Sequence, residues 1–173
     1  MMKNKCSKVK SLVQSRSSKD LSTQLKKNLR SGIFFGIGLV AFIDETVFHQ
    51  LLHWHHFYDT ATTAIGLVSD GFFHAFSWFL TVGGLFMVAD IRRRKVWQPM
   101  KWVAGVLLGA GGFQLYDGII QHKLMRLHQI RYHVDIVPYD MVWHITSVFI
   151  VLIGIVLLVR FAKKTGAVSE NAQ

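Results

Sequence analysis

A single cysteine, Cys6, stands among 173 residues. It allows neither an intrachain disulfide nor a cysteine-rich metal site. A Walker loop, a dinucleotide glycine fingerprint and a nucleophile elbow are also missing. The common signatures of nucleotide, dinucleotide and esterase chemistry are therefore absent. Lys and Arg are lacking from residues 53–63, although the chain holds 20 of them and a formal net charge of +10. No cleavable signal peptide is apparent: about 30 polar residues precede the first apolar stretch, which reads as an uncleaved anchor.

What the chain does have is apolar length. Hydrophobic residues make up 51% and mean hydropathy is +0.31. Four stretches, residues 31–52, 64–89, 100–121 and 139–160, each reach the ~20 residues a membrane-spanning helix needs. The basic residues flank them: nine lie in residues 1–30, five between Arg92 and Lys101, and three from Arg160 to Lys164. By the positive-inside rule these regions are cytoplasmic, which gives four spans of a plasma membrane with both termini inside. Lys123, Arg126 and Arg131 on the second outer connection run against the trend. Topology and anionic lipid account for the basic charge, and nucleic acid is not expected as a partner.

Two parts of the chain match. Aligning Asp44 with Asp117 pairs Gly36 with Gly109, Gly38 with Gly111, His49 with His122, Leu51 with Leu124 and His55 with His128. Aligning Asp70 with Asp140 pairs His74 with His144, Ser77 with Ser147, Phe79 with Phe149 and Gly84 with Gly154. The expected fold class is all-α, an integral membrane four-helix bundle made of two tandem two-helix repeats with pseudo-twofold symmetry. Its parts are a flexible, basic cytoplasmic tail (1–30), repeat one (31–89), a cytoplasmic basic loop (90–100), repeat two (101–161) and a cytoplasmic tail (162–173). Parallel repeats place the twofold axis along the membrane normal. Gly36, Gly38, Gly109, Gly111 and Gly112 are expected to let helices approach closely.

Ionisable residues within apolar spans are costly and mark function by default. At 1.5 Å per residue, Asp44 lies about 21 Å from the inner boundary, and Asp117, His74 and His144 about 24 Å. The repeated set thus gathers toward the outer end, where all nine histidines lie. Imidazole and carboxylate are ligand types for Zn, Fe, Mn or Cu, and helix bundles hold metals with inward side chains of this kind. The expected ligands are His49, His74, His122 and His144. Asp44, Asp70, Asp117 and Asp140 either bind directly or orient a ligating ring, and His55 and His128 are the loop candidates. Glu45 also precedes His49 by four, but its repeat counterpart is Gly118, which sets it outside the core set. Asp44 and His49, five apart, project about 140° from each other on an α-helix, as do Asp117 and His122. Ser77 and Ser147 follow a His by three on one helix with no oxyanion hole in view, so a structural role is expected for them.

The pattern Asp44-x4-His49-x5-His55 with Asp70-x3-His74, repeated as Asp117-x4-His122-x5-His128 with Asp140-x3-His144, resembles a bacterial membrane family, the domain of unknown function 2243. The resemblance covers residues 31–161 and implies a multi-pass membrane protein. It also implies partners in respiratory-oxidase assembly, and with them copper or haem handling. Three functions remain open. One is metal handling, or metal-dependent redox or hydrolytic chemistry, with Zn, Fe or Cu. The second is a bis-His haem protein moving electrons. The third is an ion or proton transporter using Asp and His as relays. Oligomeric state is not legible.

Overall fold

A computed structural model describes the backbone of residues 2–170 and the side chains of residues 21–163. Its described residues are helical or irregular, without strands. Helix α1 (Met2–Asp44) continues as a π-helical segment, Glu45–Leu51. Helix α2 (Thr63–Arg93) returns across the molecule. Helix α3 (Pro99–Tyr116) continues as a second π-helical segment, Asp117–Met125, and α4 (Val137–Glu170) closes the fold. Four helices are long and apolar enough to cross a membrane: Leu21–Leu51, Thr63–Arg93, Pro99–Met125 and Val137–Lys163. The expected apolar stretches fall within these spans, save that the first ends at Leu52. The backbone assignment differs at both tails, where α1 and α4 continue as helix rather than ending at the polar residues.

The helices do not pack as a closed square. Helix α1 packs backbone-close on α2 and α3, and α3 on α1 and α4. Among the described residues no Cα atoms come within 8 Å between α2 and α3, α1 and α4, or α2 and α4, although the Phe73 and Phe113 rings stack across the α2–α3 gap at 6.0 Å. A central α1–α3 pair is thus flanked by α2 on one side and α4 on the other. Glycine makes the central approach possible. A Cβ at Gly32 or Gly36 would collide with the carbonyls of Trp102 or Val106, and one at Gly105 or Gly109 with those of Leu29 or Ile33. Small residues four apart on both helices let backbones touch where lipid supplies no hydrophobic drive. Gly38 instead admits the α2 backbone at Thr81, and Gly111 admits α4 at Ser147. Gly112 meets nothing within 4 Å, so the close approach expected there does not occur.

Polarity is arranged for lipid. Phe72, Phe76, Phe79 and Phe86 of α2 and Val142, Ile145 and Phe149 of α4 are exposed. Asp, Glu, His, Asn and Ser side chains are buried between the helices. Ser77 and Ser147 are buried and bond their own helix backbone, at the carbonyls of His74 (2.7 Å) and Trp143 (2.5 Å). At the end bearing the α2–α3 turn, buried Asn28 ties α1 to that turn. Its amide donates to Gln24 O and Val96 O, and its oxygen accepts from Gln98 N, each at 2.9 Å. Pro99 starts α3, where its missing N–H costs nothing. At the opposite end the connections after the two π-helical segments meet, and there the buried histidines collect.

Candidate metal centre

The π-helical segments change which residues share a face. A π turn closes hydrogen bonds from residue i to i+5, as the Leu52 N–H does to Val47 O at 2.9 Å. Residues five apart are thereby drawn toward one stripe rather than spread around the helix. His49 Nε2 lies 4.0 Å from Asp44 Oδ2, and His122 Nε2 lies 2.9 Å from Asp117 Oδ2. The separation expected from α-helical geometry is corrected by this local change of pitch.

The connections bring in two more imidazoles. The His55 and His128 rings stack with centroids 4.7 Å apart and planes 4° from parallel. His49 stands edge-on to His55 at 4.5 Å, and His122 edge-on to His128 at 4.6 Å. Asp44, His49, His55, Asp117, His122 and His128 are each no more than 5% exposed.

Crossed hydrogen bonds orient these rings. His55 donates its Nδ1–H to Ile130 O at 3.0 Å, and His128 donates its Nδ1–H to Phe57 O at 2.8 Å. A carbonyl only accepts, so both rings carry the proton on Nδ1 and turn a lone pair inward at Nε2. His49 is oriented the same way by a carboxylate, its Nδ1 bonding Asp70 Oδ1 at 3.1 Å, while Glu45 Oε2 stands 2.8 Å from the same nitrogen without hydrogen-bond alignment. The Nε2 atoms of His49, His55, His122 and His128 are all buried without a hydrogen-bond partner, and so is Asp117 Oδ2. The short His122–Asp117 approach lacks hydrogen-bond alignment, and neither ring nitrogen of His122 has a hydrogen-bond partner. Burial, followed by the neighbouring His49, His128 and His122, pushes the pKa of His55 down to about 2. That keeps this ring neutral, the form in which imidazole binds metal.

Three buried sets have ligand atoms within 4.8 Å of one another: His55–His122–His128, Asp44–His49–His55, and Glu45–His49–Asp70. These groups are close enough to hold a metal ion. Asp44, Glu45, Asp70 and Asp117 are buried, and among the described residues no Lys or Arg pairs with them. Buried carboxylates without a compensating cation are expensive.

The sequence candidates divide. Asp44, His49, His55, Asp117, His122 and His128 are brought together, and Asp70 stands behind His49, where it also accepts from Phe57 N at 2.7 Å and His56 Nδ1 at 2.6 Å. His74, His144 and Asp140 are not in these groups. One turn further along α2 than Asp70, His74 meets Phe42 of α1 at 5.4 Å. His144 donates its Nδ1–H to Asp140 O, 2.7 Å away on its own helix. The Asp140 carboxylate is taken by Lys123. Glu45, set aside because Gly118 is the residue aligned with it, is buried against His49 and accepts from Gln50 Nε2 at 2.8 Å. Its spacing of four from His49 was the available signal. His56 follows the loop candidate His55 in the run His53-Trp54-His55-His56.

Aromatic clefts flank the centre where the helices leave gaps. A cavity of about 360 Å³ between the first π-helical segment, the two connections and α4 is lined by Phe48, Trp54, Ile130, Tyr139, Val142 and Trp143, among others. A second, of about 310 Å³, lies between α2 and α3, lined by Phe57, Phe72, Phe73, Phe76 and Gln121, among others. Their walls touch the histidines: Trp143 lies 6.1 Å from His122, and Phe73 lies 5.6 Å from His49. Arg131 caps the first cleft, 4.7 Å over the Trp54 ring.

Residues 31–161 match the model of a family described as a predicted membrane protein, DUF2243, and the chain belongs to that family. No curated protein and no solved structure matches it.

Proposed function

We propose that the protein is an integral membrane metalloprotein with a resident transition-metal centre at the extracytoplasmic end of its helices. The ligands are the Nε2 atoms of His49, His55, His122 and His128 together with Asp44 and Asp117; Glu45 and Asp70 orient His49. One observation carries this reading: three rings are locked by Nδ1 bonds, His55 and His128 to carbonyls and His49 to the Asp70 carboxylate, while their unpaired Nε2 atoms are buried in one cluster. Ligating histidines are held in this way by outer partners that fix tautomer and orientation. Zn, Fe and Cu all accept such donors.

The basic N-terminal residues, the Arg92–Lys101 stretch and the Arg160–Lys164 stretch support cytoplasmic termini and a plasma-membrane location. The tandem repeat is supported by the paired π turns and by the crossed bonds His55–Ile130 and His128–Phe57, whose positions correspond in the two copies. Burial of the centre favours a resident ion over transient capture. The two clefts, open toward lipid, favour a small apolar reactant that approaches within the membrane. Haem is disfavoured, because it offers two axial positions on opposite faces whereas three imidazoles here stand mutually adjacent. A transport path is disfavoured by the glycine-mediated contact that closes α1 on α3.

Elemental analysis of the detergent-purified protein tests the proposal. The native chain is expected to hold at least one transition-metal ion, lost in the His55→Ala/His128→Ala variant. Equal, negligible metal in both overturns it.

A further inference from the structure

We propose that the centre is binuclear, with one ion held by Asp44, His49 and His55 and a second by Asp117, His122 and His128. The inference rests on the metal reading above and fixes its nuclearity.

Geometry is the first argument. Ligand atoms around one ion sit ~2.0–2.2 Å from it, so any two donors to that ion are separated by at most twice that length, about 4.4 Å. The donors here form two overlapping triangles that share His55, Asp44–His49–His55 and His55–His122–His128, each with ligand atoms within 4.8 Å, a few tenths of an ångström beyond that limit, rather than one mutually adjacent set of six. Asp117 extends the second triangle, with one oxygen 2.9 Å from His122 Nε2 and the other 3.6 Å from His128 Nε2. His55 lies at the waist, its ring stacked on that of His128. Two adjacent shells fit this layout better than one, and paired ions ~3.5–4 Å apart are a recurrent arrangement.

The chemistry of each half is the second argument. Each supplies two imidazoles and one carboxylate, a ligand set that fills part of a transition ion's coordination and leaves positions open for water or a reactant.

Charge is the third. Asp44, Glu45, Asp70 and Asp117 are buried with no Lys or Arg beside them among the described residues. Ionised, they carry four negative charges in a region where uncompensated charge is severely disfavoured. A single divalent ion leaves half of that charge in place, whereas two neutralise it. The cations also replace the missing partners of Asp117 Oδ2 and the facing His122 Nε2.

The test is a Co²⁺ titration of metal-free, detergent-solubilised full-length protein, followed by visible absorption and by bound metal per chain after gel filtration. Native protein is expected to take up two equivalents. His49→Gln and His122→Gln, each damaging one half, are expected to retain one equivalent, and uptake by the surviving half shows that the variant is folded. A single equivalent in the native chain overturns the binuclear assignment and leaves the metal reading standing. Two equivalents retained by both variants also overturn it. No uptake by native protein overturns both.

Discussion

His55 donates its Nδ1–H to the carbonyl of Ile130, 3.0 Å away, and so latches the connection after the first π-helical segment to the connection after the second. The reverse bond, from His128 to Phe57, closes the same junction from the other side. Replacing His55 by Phe keeps a ring but leaves the buried Ile130 carbonyl without this donor. Such a loss costs ~1–3 kcal/mol. The His55→Phe chain is expected to unfold at lower temperature than native protein even when both are stripped of metal. An unchanged unfolding temperature in the metal-free state would deny the latch its structural role.

The helices that carry the centre are held together by glycine, and the positions are not equivalent. Gly109→Ala sets a Cβ against the Ile33 carbonyl, whereas Gly112→Ala enters open space. The first is expected to destabilise by ~1–3 kcal/mol, as overpacking does. The second is expected to be neutral or slightly stabilising, by up to ~1 kcal/mol from helix propensity. Thermal unfolding of both variants in one detergent gives the comparison.

Lys95 takes φ 58° at the α2–α3 turn, where its N–H bonds Arg92 O and the next N–H, of Val96, bonds Ile91 O. Glycine is the residue this helix-ending motif favours. Lys95→Gly should remove ~1 kcal/mol of left-handed strain and raise the unfolding temperature. A lower temperature would show that the Lys side chain matters more than its backbone.

His74 and His144 separate two ways of choosing ligands. Sequence pairing makes them metal donors, whereas the structure sets them against Phe42 and the Asp140 carbonyl. A His74→Ala/His144→Ala chain is accordingly expected to keep its metal. Loss of metal with the helical fold retained, checked by circular dichroism, would return these two residues to the ligand set.

Much of this was legible in the chain. Apolar runs located the spans, and matched Asp and His residues named six members of the cluster. Periodicity failed at Asp44–His49 and Asp117–His122, because a rule with the α-helical repeat spreads residues that a π turn draws together. Asp140 and Glu45 lie elsewhere than the matched positions suggest, for a related reason. Pairing aligned positions treats them as equal, but Lys123 captures the Asp140 carboxylate, and Gly118 stands at the position aligned with Glu45. The latch between His55 and Ile130 spans two loops with no local signature, so only tertiary structure reveals it.

The central claim is that buried imidazoles bind a transition metal. X-ray absorption at the K-edge of whatever transition metal co-purifies with the native chain tests it most directly. The account predicts a first shell of nitrogen and oxygen at ~2.0–2.2 Å, with imidazole multiple scattering, abolished in the His55→Ala/His128→Ala chain. No metal above the level held by that variant, or a metal whose shell lacks imidazole, would contradict it.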